Sequence, residues 1–396
     1  MQKFGGKHAL MAGASIVLLS GALFSLPNFL RSSFSSLPSG ATITEALKPE
    51  VKHVPTPESV RAIYMTSCVA GTPSWRESLT RLIEQTELNA VVIDVKDSTG
   101  TISFRDETLQ DSASVSKGCK VADLESFIKG LHEKDIYVIG RISVFQDPYY
   151  TALHPELAVK SISTGGVWRD HKGLSFIDVG AKPYWDHVVN IAKRSYAIGF
   201  DELNFDYIRY PSDGKMSDTN YTWDMSRTVG TTTTKMTKPE ALESFFQYLH
   251  KELSGTGAKL SADLFGMTTT VENDMNIGQV LESALPYFDY IAPMVYPSHY
   301  PKTWNGFANP AEHPYEVIQI AMQRAVEREQ AWLLSNNMAT STPSKMRPWL
   351  QDFDLGATYD APQIRAQIQA TYDVGLNSWM LWSAANKYTE NALLPE

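Results

Sequence analysis

Short apolar runs recur along the chain from residue 58 onward, and amphipathic stretches lie between them. The runs are rich in Val, Ile, Leu and aromatic residues, as in strands that are buried on both faces. The stretches between them repeat apolar positions every three or four residues, which predicts helices. The predicted strands are 62–67, 90–95, 136–145, 201–208, 259–265, 290–296, 348–353 and 378–382. The predicted helices are 74–87, 121–134, 183–197, 237–253, 277–285, 314–330 and 362–372.

A predicted helix therefore follows almost every predicted strand. Strands that alternate with helices favour a parallel sheet, and eight such units favour a closed (β/α)8 barrel of the TIM type with long loops after its strands. The alternative is an open, doubly wound sheet. Such a sheet usually carries a glycine-rich phosphate-binding turn after an early strand, and the sequence contains none.

The predicted strand 201–208 is unusual because its polar positions carry charged and amide side chains. Leu203 and Phe205 alternate with Glu202, Asn204 and Asp206, which is the period of a strand. Polar groups on a covered strand are costly unless they are paired or used. Asp206 lies near the C-terminal end of this strand, where TIM barrels place their sites. The alternative is a structural ion pair between Asp206 and a neighbouring arginine.

Polar residues also follow the other predicted strands and would meet at the same mouth of a barrel. Asp206 and Asp263 are the expected catalytic carboxylates because their strands are adjacent, and Asp94 is a third candidate. Strand alternation places Lys96 on the side of Asp94. The expected substrate-binding residues are Lys96, Asp97, Arg141, Asn204, Arg209, Tyr296, Gln351 and Trp382.

Two carboxylates can cleave a glycosidic bond when one is a protonated acid and the other is an ionised base or nucleophile. Arg141 and Arg209 would lower the pKa of the ionised carboxyl or bind an anionic sugar. Tyr296 would supply a hydrogen bond and Trp382 a stacking face, although core packing explains a tryptophan equally well. We expect Asp352 to be exposed to solvent.

A metal site is the competing chemistry, since the three aspartates could bind a divalent ion together with a histidine. The candidate histidines lie in loops and form no compact spaced pair, unlike common metal-binding motifs. We therefore expect no metal and no cofactor. The histidines are His154, His171, His299 and His313.

Residues 1–31 form a predicted signal peptide or N-terminal membrane anchor. Lys3 and Lys7 precede an uncharged apolar run over 9–26, which is near the lower limit for crossing a bilayer. No clean cleavage site precedes the serine-rich stretch 32–40, which slightly favours an anchor. The positive charges before the run predict export of the remaining chain, to the periplasm or another extracytoplasmic space.

The rest of the chain divides into a predicted linker and the barrel. Residues 32–57 are rich in Ser, Pro and Thr without periodicity and read as a linker, and the barrel is expected over 58–396. The net charge of −9 argues against a nucleic-acid partner. Cys68 and Cys119 could form a disulfide in an exported protein, but two separate thiols are equally compatible with the sequence.

Four segments together resemble the "Putative glycosyl hydrolase domain" family of bacterial barrel proteins. They are NAVVIDVKD at 89–97, GFDELNFDYIRYPS at 199–212, PAEHPYEV at 310–317 and RPWLQDF at 347–353. The resemblance covers roughly residues 59–390 and implies a TIM-type barrel that acts on carbohydrate. Where that family commonly has glutamine, this chain has Asn204.

The ending of the sixth predicted strand, at 294–296, is similar to chitinase-type barrels. However, the fourth strand lacks their D-x-x-D-x-D-x-E pattern and has Ile208 at its last position. This difference argues against a chitinase-like mechanism.

The sequence thus predicts a glycoside hydrolase that cleaves a polysaccharide or oligosaccharide outside the cytoplasm, with a membrane contact if the N-terminal segment stays uncleaved. Two alternatives remain open. One is a glycan-binding barrel without catalysis, and the other is a metal-dependent polysaccharide hydrolase or deacetylase.

Overall fold

Eight parallel strands close into a barrel in the computed structural model, which describes residues 51–109, 118–339 and 344–395. Each strand pairs with its neighbours in the sequence, and the last pairs with the first, with Arg61 opposite Trp379. The (β/α)8 prediction is confirmed. The strands are β1 Arg61–Met65, β2 Ala90–Lys96, β3 Tyr137–Ser143, β4 Glu202–Asp206, β5 Lys259–Phe265, β6 Tyr290–Met294, β7 Trp349–Gln351 and β8 Trp379–Trp382.

Helices follow the first seven strands. They are α1 Pro73–Glu84, α2 Leu124–His132, α3 Lys182–Ala197, α4 Lys238–Leu253, α5 Leu281–Ala284, α6 Pro314–Ser335 and α7 Ala361–Asp373. The capping spacing at Thr237 and Glu240 forms a reciprocal cap at the start of α4. Helix α5 is much shorter than predicted because Gly278, inside the predicted range, adopts a positive φ of 82°, which a helix does not contain.

Two apolar layers explain why the strands read as nearly continuous apolar runs. Side chains such as Val92 and Ile139 fill the barrel interior, whereas Ile93 and Leu203 pack outward in the layer that contains the helices. Alternate residues of each strand are therefore buried on opposite faces. This arrangement leaves the strand ends as the places for polar side chains.

The N-terminal end of the barrel interior contains a buried ion pair. Nη1 of Arg347 lies 2.9 Å from both carboxylate oxygens of Glu202, and the Tyr137 hydroxyl donates to the same carboxylate over 3.1 Å. The Arg347 guanidinium also lies 3.9 Å from the centre of the Tyr290 ring. Both charges are buried and paired, and they lie at the N-terminal end of the barrel interior. We call the Glu202–Arg347 pair the floor of the barrel.

Residues 51–57, which were predicted as the end of the linker, contact the same end of the barrel. The Val54 N–H donates to Oδ1 of Asp201 over 2.8 Å, and the His53 ring stacks on Tyr196 with centroids 4.0 Å apart. Hydrogen bonds from His132, His53 and the Val138 N–H lower the pKa of Asp201, although its burial acts in the opposite direction. The barrel unit therefore begins at Val51. The predicted signal or anchor, 1–31, and linker residues 32–50 lie outside the described residues.

Cys68 and Cys119 form a disulfide, which resolves the alternative that the sequence left open. Their Cα atoms are 4.9 Å apart. Cys68 lies in a short helix, Ser67–Ala70, directly after β1, and Cys119 lies in the loop after β2. The bridge therefore joins two neighbouring loops at the C-terminal side of the barrel.

Two long loops, after β3 and after β4, fold over one another. Lys160–Ser161 of the first pairs with Thr219–Asn220 of the second, and a separate hairpin pairs Ser226–Val229 with Thr232–Lys235.

Over the residues that the structure describes, no helix has the length and apolar character needed to cross a membrane.

Candidate active site

A cavity of about 540 Å³ opens at the C-terminal ends of the strands. This volume suits a small ligand or a short segment of a polymer. The predicted site residues that line it are Arg141, Asp206, Arg209, Asp263, Tyr296 and Trp382. The remaining wall is largely apolar and includes Tyr207, Phe265, Met267, Met275, Ile277, Met294, His299 and Tyr300.

Arg141 of β3 connects two aspartates at the base of the cavity. Its Nη1 donates to Oδ1 of Asp94 over 2.6 Å, and its Nε and Nη2 donate to Oδ2 of Asp206 over 3.1 and 2.5 Å. The three side chains come from adjacent strands: Asp94 lies opposite Arg141, whereas Asp206 lies two residues nearer the C-terminal end, opposite Ser143. Burial opposes the charge on the guanidinium, but the two carboxylates outweigh it and raise the pKa of Arg141.

Asp206 is held as a hydrogen-bond acceptor on both of its oxygens. Arg141 donates to Oδ2, and the Tyr207 backbone N–H donates to Oδ1 over 2.5 Å. Tyr207 itself has a positive φ of 48°, so the chain turns directly after this strand. The sequence left open a structural ion pair between Asp206 and a neighbouring arginine. Arg141 forms that pair, but both residues line the cavity.

Asp263 of β5 has a different environment in the same cavity. Its Oδ1 accepts hydrogen bonds from Nδ2 of Asn204 at 2.9 Å and from Nε1 of Trp349 at 2.7 Å. Burial, followed by the nearby negative charge of Asp206, raises the pKa of Asp263 well above its ordinary value. The two carboxyl groups of this cavity therefore differ in their surroundings: Asp206 is bonded to a cation, whereas Asp263 is buried against an amide and an indole.

Strand alternation correctly predicted which residues face inward on β4 and β5. Asn204 lies on the same side as Asp206, and Ser261 on the same side as Asp263, and Nδ2 of Asn204 also donates to Oγ of Ser261 over 3.1 Å. Asn204 does not line the cavity. It lies beneath the cavity lining and orients Asp263 through its hydrogen bond to that carboxyl group.

Aromatic rings form one side of the site. Trp382 stacks on Tyr64 with centroids 4.1 Å apart and lies 5.2 Å from the Arg141 guanidinium. The Tyr64 hydroxyl donates to Oδ2 of Asp94 over 2.5 Å, and burial raises the pKa of Tyr64 well above its usual value. Tyr296 lies just beyond β6 rather than within it and lines the cavity. Asp94 itself lies beneath Arg141 and Tyr64 and does not line the cavity.

Lys96 does not lie beside Asp94 at the cavity, so the prediction from strand alternation was wrong. Its Nζ lies 2.6 Å from the Ser143 carbonyl oxygen, 2.9 Å from Oδ2 of Asp147 and 3.1 Å from the Tyr184 hydroxyl on α3. The pairing of β2 with β3 shifts between Asp94 and Lys96. Such an irregularity re-aims the following side chain.

Asp97 and Gln351 also lie away from the cavity lining, and each holds a loop in place. Oδ1 of Asp97 accepts hydrogen bonds from the Thr99 and Thr101 backbone N–H groups. The Gln351 amide oxygen accepts from the Ser298 N–H, and its nitrogen donates to the Phe353 carbonyl. Their structural roles explain both residues without a substrate.

Asp352 is buried, which corrects the expectation that it faces solvent. Its Oδ2 accepts a hydrogen bond from the Thr389 N–H at 3.0 Å, and its Oδ1 accepts one from the Thr389 hydroxyl at 2.7 Å. Asp352 therefore fastens the C-terminal segment to the end of β7.

No group of three metal-binding side chains occurs among the residues that the structure describes. Of the histidines named above, His299 lines the cavity, and burial lowers its pKa. His313 stacks instead on Phe307, and His171 lies near Asp213 on the surface.

The sequence interpretation missed Tyr64 and Trp349, which contact the candidate carboxylates directly. Tyr64 lies two residues after Ala62 on β1, and both face the barrel interior. Strand alternation could therefore have assigned Tyr64 to the interior. Trp349 belongs to the segment RPWLQDF, but a tryptophan in a strand gives no sign that its indole N–H has a carboxylate partner. The apolar wall was missed because Met267, Met275 and Ile277 belong to a loop.

Solved structures provide a comparison for the fold. The PgaB (BpsB) glycoside hydrolase domain from Bordetella bronchiseptica matches with a TM-score of 0.57 and 14% identity, over 83% of this chain and 95% of that one. The catalytic domain of β-amylase from Paenibacillus polymyxa matches with a TM-score of 0.51 and 9% identity, over 85% and 95%. At these identities the two likenesses show the barrel fold alone.

A hypothetical protein from Ruminiclostridium thermocellum ATCC 27405 shares 32% identity over 51% of this chain and 96% of that chain, with a TM-score of 0.43. A comparison with curated proteins finds no match to this sequence.

The family comparison covers nearly all of the barrel. Residues 62–388 match a family described as "Putative glycosyl hydrolase domain". The matched range contains all eight barrel strands except the first residue of β1, together with every residue that lines the cavity. The chain therefore belongs to the "Putative glycosyl hydrolase domain" family.

Proposed function

We propose that this chain is a glycoside hydrolase in which Asp263 is the general acid and Asp206 is the ionised carboxylate. The observation that carries the proposal is the different environment of these two acids in one cavity. Burial raises the pKa of Asp263, whereas Arg141 and the Tyr207 N–H donate hydrogen bonds to Asp206. Pairs of carboxyl groups whose environments separate their protonation states are typical of glycoside hydrolysis.

The proton for the reaction would come from Oδ2 of Asp263. Its Oδ1 is occupied by two N–H donors, and Oδ2 has no hydrogen-bond partner among the described residues. Transfer of this proton to the glycosidic oxygen lets the bond between that oxygen and the anomeric carbon break. The departing sugar alcohol keeps the proton, so Asp263 becomes ionised at this step.

Asp206 would act on the anomeric carbon, where positive charge develops as the bond breaks. A carboxylate in a water-excluded site stabilises this charge strongly. It does so either by direct attack or by activating a water molecule. In both cases water supplies the oxygen and the hydrogen that complete the hydrolysis.

Sugar rings would bind along the aromatic side of the cavity. Trp382 presents a face that is already fixed by stacking on Tyr64, which limits the entropy lost on binding. Tyr296 lines the same cavity, and burial, with the charges of Asp263 and Asp206, raises its pKa. Tyr296 is therefore a neutral hydrogen-bond donor for a sugar oxygen.

We also propose that the chain works outside the cytoplasm. The Cys68–Cys119 disulfide supports this location because such bonds persist in oxidising compartments. The apolar run over residues 9–26 supports it independently. Fractionation of cells tests the location, and recovery of the chain in the cytoplasm would contradict it.

The proposed reaction is tested with Asp206→Asn in the full-length chain. Incubation with a panel of cell-surface and extracellular polysaccharides, followed by mass spectrometry of the products, should show about 10²–10⁴-fold slower cleavage by the variant. Asp135→Asn is the matched control. Asp135 is exposed in a turn before β3 and has a φ of 55°, which asparagine accepts well.

Full turnover by Asp206→Asn would refute the assigned role. Binding of glycans by the wild-type chain without any product would favour the alternative of a glycan-binding barrel. Loss of the wild-type activity on chelation would instead favour a metal-dependent reaction.

A further inference from the structure

Two guanidinium groups line the cavity, but only that of Arg141 is paired with carboxylates. All three of its side-chain nitrogens donate to Asp94 or Asp206. Its positive charge is therefore already paired with two carboxylates. A positive group that is free to pair with an anionic ligand in this wall must belong to another residue.

Arg209 supplies that group. It is only 8% exposed, and its Nη1 donates to the Tyr210 carbonyl oxygen over 3.0 Å. Within the part of the chain that the structure describes, its Nε and Nη2 make no hydrogen bond, and no carboxylate lies within 4.0 Å of it. Asp206, Asp170 and Asp213 act on it only from farther away.

The surroundings of Arg209 are aromatic rather than acidic. The centres of the Phe265, Tyr207 and Phe176 rings lie 4.7, 5.0 and 5.9 Å from its guanidinium carbon. These rings attract the cation, but they do not bond its remaining N–H groups. Burial disfavours the charged form of the side chain and therefore lowers the pKa of Arg209.

We infer that the substrate is an acidic glycan and that Arg209 binds an anionic group of one of its sugars, a carboxylate or a sulfate. A guanidinium offers two parallel N–H groups that match either anion. Arg209 lines the same cavity as Asp206 and Asp263, so the anionic sugar would sit beside the bond that is cleaved. This inference rests on the proposed function, of which it specifies the substrate class.

The test measures binding without turnover, by isothermal titration calorimetry on the full-length chain. The probes are glucuronate, glucose 6-sulfate and the neutral methyl glucoside. At least one of the two anionic sugars should bind about tenfold more tightly than methyl glucoside, and the preference should weaken as salt is added. The anion that binds more tightly identifies the group as a carboxylate or a sulfate.

Arg209→Gln should remove this preference, and Arg209→Lys should restore part of it because the charge returns without the planar pair of donors. The control is Lys302→Gln, which removes one exposed positive charge from the loop after β6, outside the cavity, and should keep the preference. Thermal unfolding verifies that each variant is folded. If Arg209→Gln does not fold, the preference of the wild-type chain and its salt dependence still decide the outcome.

Three results would overturn the inference: absence of measurable binding by both anionic sugars, equally tight binding of methyl glucoside, or an unchanged preference in Arg209→Gln. A chain that prefers an anionic sugar but releases no product from any polysaccharide would contradict the proposed hydrolysis and leave the role of Arg209 intact. The two proposals can therefore fail separately.

Discussion

Two aspartates of identical chemistry differ in this cavity because their neighbours differ. Asp206 has donors on both oxygens, one of them a cation, whereas Asp263 is buried against an amide, an indole and the charge of Asp206. A carboxyl that retains its proton under these conditions can donate it. The roles that we propose for Asp263 and Asp206 therefore depend on contacts a few ångströms away.

The proposed role of Asp263 as general acid, together with its raised pKa, predicts how activity depends on pH. The acid works only while protonated, so kcat/KM should fall on the alkaline side as pH rises through the pKa of Asp263. Asp263→Asn should lower activity by about 10²–10⁴-fold and abolish that alkaline limb. The pH profile of kcat/KM for both chains measures this effect.

The same substitution should leave folding intact. A carboxyl whose pKa is raised in the folded state contributes stability at low pH that is lost as pH rises above its unfolded value of ~3.9. Asparagine removes this loss and keeps an oxygen for the Asn204 and Trp349 donors. Urea unfolding at neutral pH should therefore give an unfolding free energy equal to or above that of the wild type, and a marked decrease would contradict this account.

At the residue scale, the sequence correctly predicted which residues face the barrel interior in strands that pair regularly. Period-two alternation correctly grouped Asn204 with Asp206. It failed for Lys96 because an irregularity in pairing depends on the neighbouring strand, which a single-sequence pattern does not show. The free donors of Arg209 were equally hidden, since they depend on which side chains of other loops surround it.

At the element scale, the strands were predicted more accurately than the loops that form the cavity. Strand β5 matches its predicted bounds because its apolar alternation is clear and a turn ends it on each side. Helix α5 was overestimated because 277–280 carry apolar residues at helical spacing, although Gly278 adopts a positive φ angle. The Gln279 side chain bonds backbone groups of β5 and of the segment after β4, so tertiary contacts rather than helix propensity decided that segment.

The disulfide is the covalent link between two of these loops. Changing both cysteines to serine, Cys68→Ser with Cys119→Ser, should lower the unfolding free energy by about 2–4 kcal/mol because the unfolded chain loses a constraint. Urea unfolding measures the difference.

A reducing agent serves as the internal control for this prediction. It should lower the stability of the wild-type chain to that of the double variant and leave the double variant unchanged. Equal stability of the oxidised and reduced wild-type chains would show that the bridge contributes nothing.

At the scale of the whole molecule, the barrel has a polar group at each end. The cavity group lies at the C-terminal mouth, and the Glu202–Arg347 pair lies at the floor, where residues 51–57 also pack. Strand and helix order alone predicted the closed barrel, because eight alternating units leave few other topologies. The floor was not predicted, because 51–57 show no periodicity and their partners are distant in sequence.

The floor pair predicts a non-additive pattern of stability. Arg347→Met alone should lower the unfolding free energy by ~3–5 kcal/mol because it leaves Glu202 buried without its partner. The double variant, Glu202→Met with Arg347→Met, should lose clearly less. Urea unfolding of both single variants and the double variant measures the coupling, and additive losses would show that the two residues act independently.

Tyr207 joins the strain of the backbone to the shape of the site. A bulky residue with a φ of 48° costs ~1–2 kcal/mol relative to glycine, and its position directly after β4 provides the N–H that contacts Asp206. Glycine would adopt this turn without the cost, but it would remove the ring beside Arg209. Efforts to raise the thermal stability of this protein should therefore leave position 207 unchanged. A stabilising change to glycine there would remove an aromatic ring from the wall of the proposed ligand cavity.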